Sequence, residues 1–333
     1  MVKTKKTTSD SDRLREQLLA FLAEVEASDG ETIDAAKWFK PGRYIDIPRD
    51  LYEGIPAMNA TTIKAMETQS PAHARYWQEE EKVSDELLFG EGFHCATLEA
   101  IEFPKRFVLW PDERPDVKMK KGDPLPPGGR RSGKTWDSFQ QTHLPRKVIR
   151  EKDYNSIQQM AEALHSHPEM QILLARRPIF REVTLIWVDE HTGMLCKARA
   201  DVLIDDEHPT LIDYKTTANS KPDVFGTQVY NYGYDIGAAH YCMGARALQP
   251  DKTLPNMIIP AIEKKPPFKP VIYRVDIPTM RLGWVRTRSG MDRYAECLRT
   301  DQWPGYGDDK IIDINAPSWA LKQYNISTEG ASS

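Results

Sequence analysis

Apolar residues recur at helical spacing over residues 12–27, where Leu14, Leu18, Phe21, Leu22 and Val25 share one face behind the capping candidates Ser9, Asp10 and Ser11. A second helix is predicted from Asn59, whose side chain caps Thr61 to Met66, and a third from Pro71. Ser84 to Ile101 carries Leu87, Leu88, Phe93, Ala96 and Leu98 and reads as a further helix, with His94 on it. Helical periodicity returns over residues 153–165 and 168–175. The period then changes. Residues 179–189, 194–204 and 210–214 form short β-branched and apolar runs, broken by His191-Thr192-Gly193 and by residues 205–209, which predict three meandering strands. A helix over 230–248, strands near 256–262 and 271–275, and a long helix over 278–298 complete the pattern. Helices on both sides of a central mixed sheet make an α/β sandwich.

Where the periodicity lapses, composition takes over. Residues 30–55 are rich in Pro and Gly around Trp38 and Tyr44 and predict an irregular segment lying across the body. Residues 111–134 turn to Pro, Gly, Lys and Arg with little to anchor them, which reads either as a flexible basic loop near a polyanion or as a solvated insertion. The expected organisation is a disordered tail over 1–11, a helix and irregular segment over 12–58, one large domain over 59–325, and a second tail over 326–333.

Apolar residues make up 40% of the 333 and charged residues 28%, the balance of a chain that buries a core. The longest apolar runs fall far short of the roughly 20 residues that cross a bilayer, so no membrane span is expected. The basic, polar start lacks the apolar stretch of a secretory signal, which points to the cytoplasm. Cys95, Cys196, Cys242 and Cys297 form no CxxC pair, which speaks against a zinc ribbon or a cysteine-held iron–sulfur cluster and for buried thiols. A net charge of −4 is unpromising for nucleic acid. A local basic channel beside a carboxylate centre would nevertheless suffice.

Such a centre is suggested by Ala198-Arg199-Ala200-Asp201-Val202-Leu203-Ile204 followed by Thr210-Leu211-Ile212-Asp213-Tyr214-Lys215-Thr216-Thr217. On neighbouring antiparallel strands Asp201 and Asp213 project toward one point, and Lys215, two residues on, shares the face of Asp213. Aspartate and lysine are depleted in strands and costly when buried, so their presence amid Val, Leu and Ile needs a reason. A hard divalent cation supplies one, since Mg²⁺ takes oxygen ligands and polarises a phosphate while acidifying a bound water. Lys215 would position that water and stabilise the developing charge. The plainer alternative is a surface salt bridge between Asp213 and Lys215.

Asp201 with Ile212-Asp213-Tyr214-Lys215-Thr216-Thr217 resembles the PD-(D/E)XK nuclease motif. The wider chain, over roughly Tyr52 to Tyr324, is similar to the C-terminal nuclease domain of RecE (exonuclease VIII) and to lambda-exonuclease-like phage relatives. The supporting segments are Leu88 to His94 with Leu98-Glu99, Ser70-Pro71-Ala72-His73, Asp189 to Cys196, and Asp301-Gln302-Trp303-Pro304. The resemblance implies a restriction-endonuclease-like fold with His94, Asp201, Asp213 and the backbone carbonyl of Tyr214 at the metal. Taken alone, His94 reads as a core histidine. Glu182 corresponds to an acidic residue on the preceding strand, and either reaches the centre through water or is an exposed strand glutamate. Many relatives carry Gln-x-x-x-Tyr on the next helix; here Tyr241 is present but Gly237 stands at the glutamine position, so either Gln228 or His240 substitutes or the contact is absent.

For DNA contacts, Thr61, Thr62 and Lys64 at one helix start and Ser70, His73 and Arg75 at the next read either as phosphate sites or as ordinary caps. Trp77 and the loop 118–134 are weaker candidates. The resemblance implies a Mg²⁺-dependent 5′-to-3′ exonuclease, with Mn²⁺ substituting, that acts on double-stranded DNA ends and leaves 3′ single strands for an annealing protein. It also implies a homo-oligomeric ring, trimeric in the lambda-exonuclease type and tetrameric in RecE, of which the trimer is the expectation here. The rival expectations are a catalytically silent DNA-binding module of the same fold and a structure-specific or Cas4-like endonuclease.

Overall fold

The change of period at residue 179 marks the sheet that organises the molecule. The computed structural model describes residues 9–28, 33–79, 84–116, 118, 123, 126–308 and 310–326. Most of the two expected tails, together with Lys120 and Lys121 of the basic segment and the side chain of Trp77, lies outside them.

Before the sheet's long hairpin come helices α1 (Asp10–Ala27), α2 (Arg49–Gly54), α3 (Ala60–Thr68), α4 (Pro71–Glu79), α5 (Asp85–Leu98), α6 (Phe103–Arg106), α7 (Lys134–His143), α8 (Glu151–His165) and α9 (Pro168–Ala175), with strands β1 (Gly42–Tyr44), β2 (Phe107–Trp110) and β3 (Lys147–Arg150). The hairpin is β4 (Ile179–Val188) and β5 (Leu195–Ile204), followed by β6 (Thr210–Ile212) and β7 (Lys215–Thr217). Helices α10 (Pro222–Asn231) and α11 (Tyr234–Leu248), strands β8 (Asn256–Glu263) and β9 (Val271–Arg274), and helices α12 (Ile277–Thr300) and α13 (Ser318–Gln323) complete the chain. Of the expected helix over 230–248, α11 takes residues 234–248, and Gly233 with a left-handed φ of +62° separates it from α10, which the periodicity does not predict. Helix α1 starts at Asp10, ahead of the expected boundary, since Ser9 and Asp12 form a reciprocal capping box. Of its expected apolar face, Leu14 and Phe21 are buried while Leu22 and Val25 stay exposed.

Strands β1, β4, β5 and β6 pair antiparallel, β6 and β7 pair parallel with β8, and β9 closes antiparallel on β8. The sheet is thus mixed, as the pattern predicts. One face packs on α3, α11 and α12 through Ile63, Ile236, Cys242 and Met291. The other packs on α5, α8 and α9 through Phe93, Ile157, Leu164 and Met170. In α8 the buried Ile157, Met160, Ala161 and Leu164 follow the i, i+3, i+4, i+7 rule. The irregular N-terminal segment puts Phe39, Ile47 and Leu51 against Ile186 and Leu195 and so does lie across the body. All four cysteines are buried free thiols, and no described helix is long and apolar enough to cross a membrane.

The β4–β5 turn is fixed by Asp189, whose carboxylate accepts from the Thr192 N–H at 3.0 Å and from its hydroxyl at 2.7 Å. Both oxygens also take the Arg288 guanidinium of α12 at 2.8 Å. Burial pushes the Asp189 pKa up, but Arg288 and Thr192 outweigh it and hold the carboxyl at about 2. A depressed carboxyl stabilises the fold above its unfolded value near 3.9 and loses that contribution as pH falls toward 2. Asp189→Asn is therefore expected to cost on the order of 1–2 kcal/mol at neutral pH, with a penalty that shrinks between pH 4 and 2. Urea unfolding of both proteins across that range checks it, and a pH-independent difference would refute the linkage.

Candidate active site

The register across the sheet puts three acidic residues on one line. Arg181 pairs with Val202 and Val183 with Ala200, while Val202 pairs with Ile212 on the other side of β5. One step along each ladder, Glu182, Asp201 and Asp213 would face one another, and there the β4–β5 pairing skips a step and the β5–β6 pairing ends. Glu182 adopts a φ of +47°, a left-handed conformation disfavoured for a residue with a side chain. Alternation inverts at this point. Val183, Leu185, Ala198 and Ala200 face the α11 layer, but beyond the break Phe180 and Leu203 do so instead, and Val202 and Ile204 turn to α5 and α8. An irregularity of this kind re-aims the side chains flanking it, which releases Glu182 and Asp201 from the sheet's two cores.

The third strand opens at the same level. Strands β6 and β7 keep one register along β8, from Thr210 opposite Asn256 to Thr217 opposite Glu263, interrupted at Asp213 and Tyr214. Asp213 N–H still donates to the Ile258 carbonyl at 3.0 Å. The Tyr214 N–H donates to Asp201 Oδ2 at 2.7 Å. From α5, His94 Nδ1 comes within 3.3 Å of Asp201 Oδ1. Among the described residues, His94, Glu182 and Asp201 form a group whose ligand atoms all lie within 4.8 Å of one another. Asp213 stands outside that group, its Oδ1 accepting from Lys215 Nζ at 2.5 Å. The Asp213–Lys215 pair is thus not the surface salt bridge of the plainer alternative, because the two side chains are only 7% and 19% exposed.

Electrostatics sharpen the picture. Burial and the charge of Asp201 push Glu182 upward against Arg199, whose Nε donates to it at 2.6 Å. Burial would likewise raise Asp201, but His94, Lys215 and the Tyr214 N–H hold it below the usual carboxylate range. Burial would lower His94 and Lys215, yet Asp201 raises the histidine and Asp213 with Asp201 raises the lysine. A buried and a half-buried carboxylate converging with an imidazole on one point are mutually stabilised by a hard cation, and these oxygen and nitrogen donors suit one. Glu182, which the sequence leaves open between a metal-site role and surface exposure, is 20% exposed at its side chain and turned to the centre.

The centre lies in a cleft of about 2380 Å³ between α3, α5, β3 and β5. Its walls include Arg130 and Arg131 of the basic loop 118–134, together with Arg106, Arg146, Lys147 and Arg150, which sequence reasoning did not single out. Only the clustering of Arg and Lys over residues 130–150 hints at them. Tyr241 faces the carboxylates from α11, and their charges add to burial in pushing its phenol up. Thr62 also lines the cleft, its N–H capped by Asn59 Oδ1 at 3.0 Å. Ser70 and Arg75 are not brought to the cleft. Ser70 Oγ is 2.7 Å from His73 Nδ1 in a local cap, and Arg75 binds Asp301 at 3.0 Å and lies over Trp303.

Neither offered substitute for the glutamine position reaches the acidic group. Gln228 accepts from Thr217 Oγ1 at 2.8 Å beside β7. His240 is buried with Nε2 3.0 Å from the Lys197 carbonyl, and burial lowers its pKa to about 4. At Gly237 an added Cβ would meet Lys64 Nζ at 3.2 Å, so the space is filled from α3 instead.

A family model described as a PDDEXK-like domain of unknown function (DUF3799) matches residues 60–312. The chain belongs to this PDDEXK-like family. Among solved structures, one described as "Putative exonuclease" from Eubacterium rectale superposes with a TM-score of 0.51 at 13% identity, covering 82% of this chain and 93% of that one. That likeness shows the fold. A second, described as SSO0001, covers 48% of this chain and 72% of its own at 14% identity, with a TM-score of 0.26. No curated protein matches the chain. PDDEXK-like membership agrees with the central mixed sheet flanked by helices and with the opened strand at Asp213 to Lys215.

Proposed function

We propose that this PDDEXK-like protein is a divalent-metal-dependent nuclease that hydrolyses phosphodiester bonds of DNA. The observation that carries the reading is the opening of three neighbouring strands at Glu182, Asp201 and Asp213, with His94 and Lys215 converging there. His94, Glu182 and Asp201 would hold the metal, with Asp213 and the Tyr214 carbonyl available to complete its shell. A bound Mg²⁺ or Mn²⁺ would supply Lewis acidity and a water of lowered pKa. Asp213 orients Lys215, and the ammonium places positive charge where the phosphate develops negative charge. The basic wall from Arg146 to Arg150 would carry the strand's phosphates, so a net acidic chain binds a polyanion through one face.

The finer reading is a 5′-to-3′ exonuclease on double-stranded ends, working as a ring and passing 3′ strands to a single-strand annealing protein. It is supported by the RecE resemblance, and its exonuclease part alone also by the description of the Eubacterium rectale structure as a "Putative exonuclease". The test is digestion of linear duplex and of covalently closed circular duplex with Mg²⁺, with and without EDTA. Metal-dependent release of nucleotides from linear DNA alone is expected. Cleavage of closed circles would convert the reading to an endonuclease, and metal-insensitive binding without cleavage would convert it to a silent DNA-binding module. End labels on either strand then report polarity.

A further inference from the structure

Helix α3 sends Lys64 across to the start of α11, where two glycines one turn apart receive it. A Cβ at Gly233 would lie 2.9 Å from Lys64 Cγ, and one at Gly237 would lie 3.2 Å from Nζ and 3.4 Å from Cε. The whole stem is therefore laid in a groove that only missing side chains provide. At the end of the groove Nζ stands 5.6 Å from the centroid of the Tyr234 ring, and Lys215 Nζ stands 5.3 Å from the same centroid. Two ammonium groups thus share one aromatic ring at the edge of the acidic centre.

The carboxylates whose charge reaches Lys64 are Asp213 and Asp235. Asp213 is engaged by Lys215 at 2.5 Å and Asp235 by Arg286 at 2.9 Å. Among the described residues no ion pair is formed by Lys64 itself. A half-buried ammonium without a counter-ion is destabilising, and an anion supplied from outside would relieve that cost. Cation–π contact with Tyr234 compensates only part of that cost.

We infer that Lys64, seated in the Gly233–Gly237 groove, forms an anion subsite that takes a phosphate oxygen of the bound nucleic acid, next to the bond hydrolysed at Lys215. The inference rests on the nuclease reading above and adds to it a second cation, delivered from a different helix. Burial and the neighbouring Lys215 lower the Lys64 pKa to about 8, against the pull of Asp213 and Asp235, as suits an ammonium awaiting an anion.

The test uses the full chain and a fluorescein-labelled duplex in EDTA, so that binding is read without metal or turnover. Lys64→Met keeps the stem and removes the charge. It is expected to weaken binding about 5- to 10-fold and to reduce the slope of log K against log salt by about one phosphate contact. Lys64→Arg is expected to retain most of the slope. Gly237→Ala, whose methyl crowds Nζ, should move binding in the same direction by a smaller factor. Thermal melts separate function from architecture. A lysine that serves packing or a hidden ion pair would lower Tm when replaced by Met, whereas an unpaired cation leaves Tm equal or raised. Lys64→Met binding duplex as wild type does, with an unchanged salt slope, would overturn the subsite. If the wild-type chain binds no duplex at all, the nuclease reading fails and the subsite with it.

Discussion

Lys215→Ala and Asp213→Ala are each expected to lower cleavage of linear duplex by about 10²-fold or more, the loss typical when one preorganised charge is removed from a reacting centre. Their effects on stability should differ from their effects on rate. Asp213 is nearly inaccessible and its partner is the Lys215 ammonium. Removing the lysine alone leaves a carboxylate without its cation, a change that costs about 3–5 kcal/mol when the pair is fully buried. Lys215 is 19% exposed at its side chain, so the lower end applies. Asp213→Asn combined with Lys215→Met removes both charges together and is expected to recover most of the Tm while remaining inactive. Initial rates on linear duplex with excess Mg²⁺, beside thermal melts of the same samples, check both halves. Near-normal cleavage by either single variant would remove Lys215 and Asp213 from the mechanism, and equal melting of the single and double variants would refute the pairing argument.

The same pair shows how far the sequence is legible. Asp201, Asp213 and Lys215 announce themselves because charge is placed inside β-branched runs where burial penalises it. Strand spacing then brings Asp213 and Lys215 together, and the structure joins them at 2.5 Å. Glu182 stays ambiguous at that level because its placement depends on a left-handed backbone, φ +47°, that an ordinary Arg-Glu-Val triplet does not advertise. The mixed sheet and its two helical layers are readable from the change of period at residue 179. The break between α10 and α11 is not, since Gly233 reads as one more residue in a helical run until its φ is known. Gly237 is the sharpest case. In the sequence it looks like a missing contact, while in the fold it is room made for Lys64, a residue 173 positions away that no local pattern could connect to it. Ser70 and Arg75, which do not line the cleft, show a related limit of local reading. Helix starts with nearby cations suggest phosphate sites, but the segment at Asp301 to Pro304 returns to occupy this one: Asp301 takes Arg75, and the Pro304 carbonyl accepts from Ala72 N–H.

Gly283→Ala is expected to be the most destabilising single methyl addition in the helical layer behind the site. Helices α11 and α12 cross so closely there that a Cβ at residue 283 would lie 2.2 Å from the Asp235 carbonyl oxygen and 2.7 Å from its carbon. Backbone cannot rotate away as a side chain can, so the helices must part, and overpacking of this kind costs about 1–3 kcal/mol or more. Parting them strains a second contact at the same level, the pair of Arg286 with the fully buried Asp235, whose oxygens both accept from Arg286 Nη1 at 2.9 Å. The two losses share one cause, and for a chain of this size a drop in Tm of roughly 2–5 °C is expected. Gly226→Ala, in α10 and outside the cleft, is the matched control. Nothing lies within 4 Å of a Cβ there, and replacing a helical glycine at an open position gains about 0.5–1 kcal/mol. The functional consequence should follow the structural one, because α11 also carries the Lys64 groove and Tyr241. Gly283→Ala assayed well below its own Tm should therefore bind duplex more weakly than Gly226→Ala does. A Gly283→Ala protein that melts with the wild type would show that the helices do not meet this closely, and that the groove is not held by their crossing.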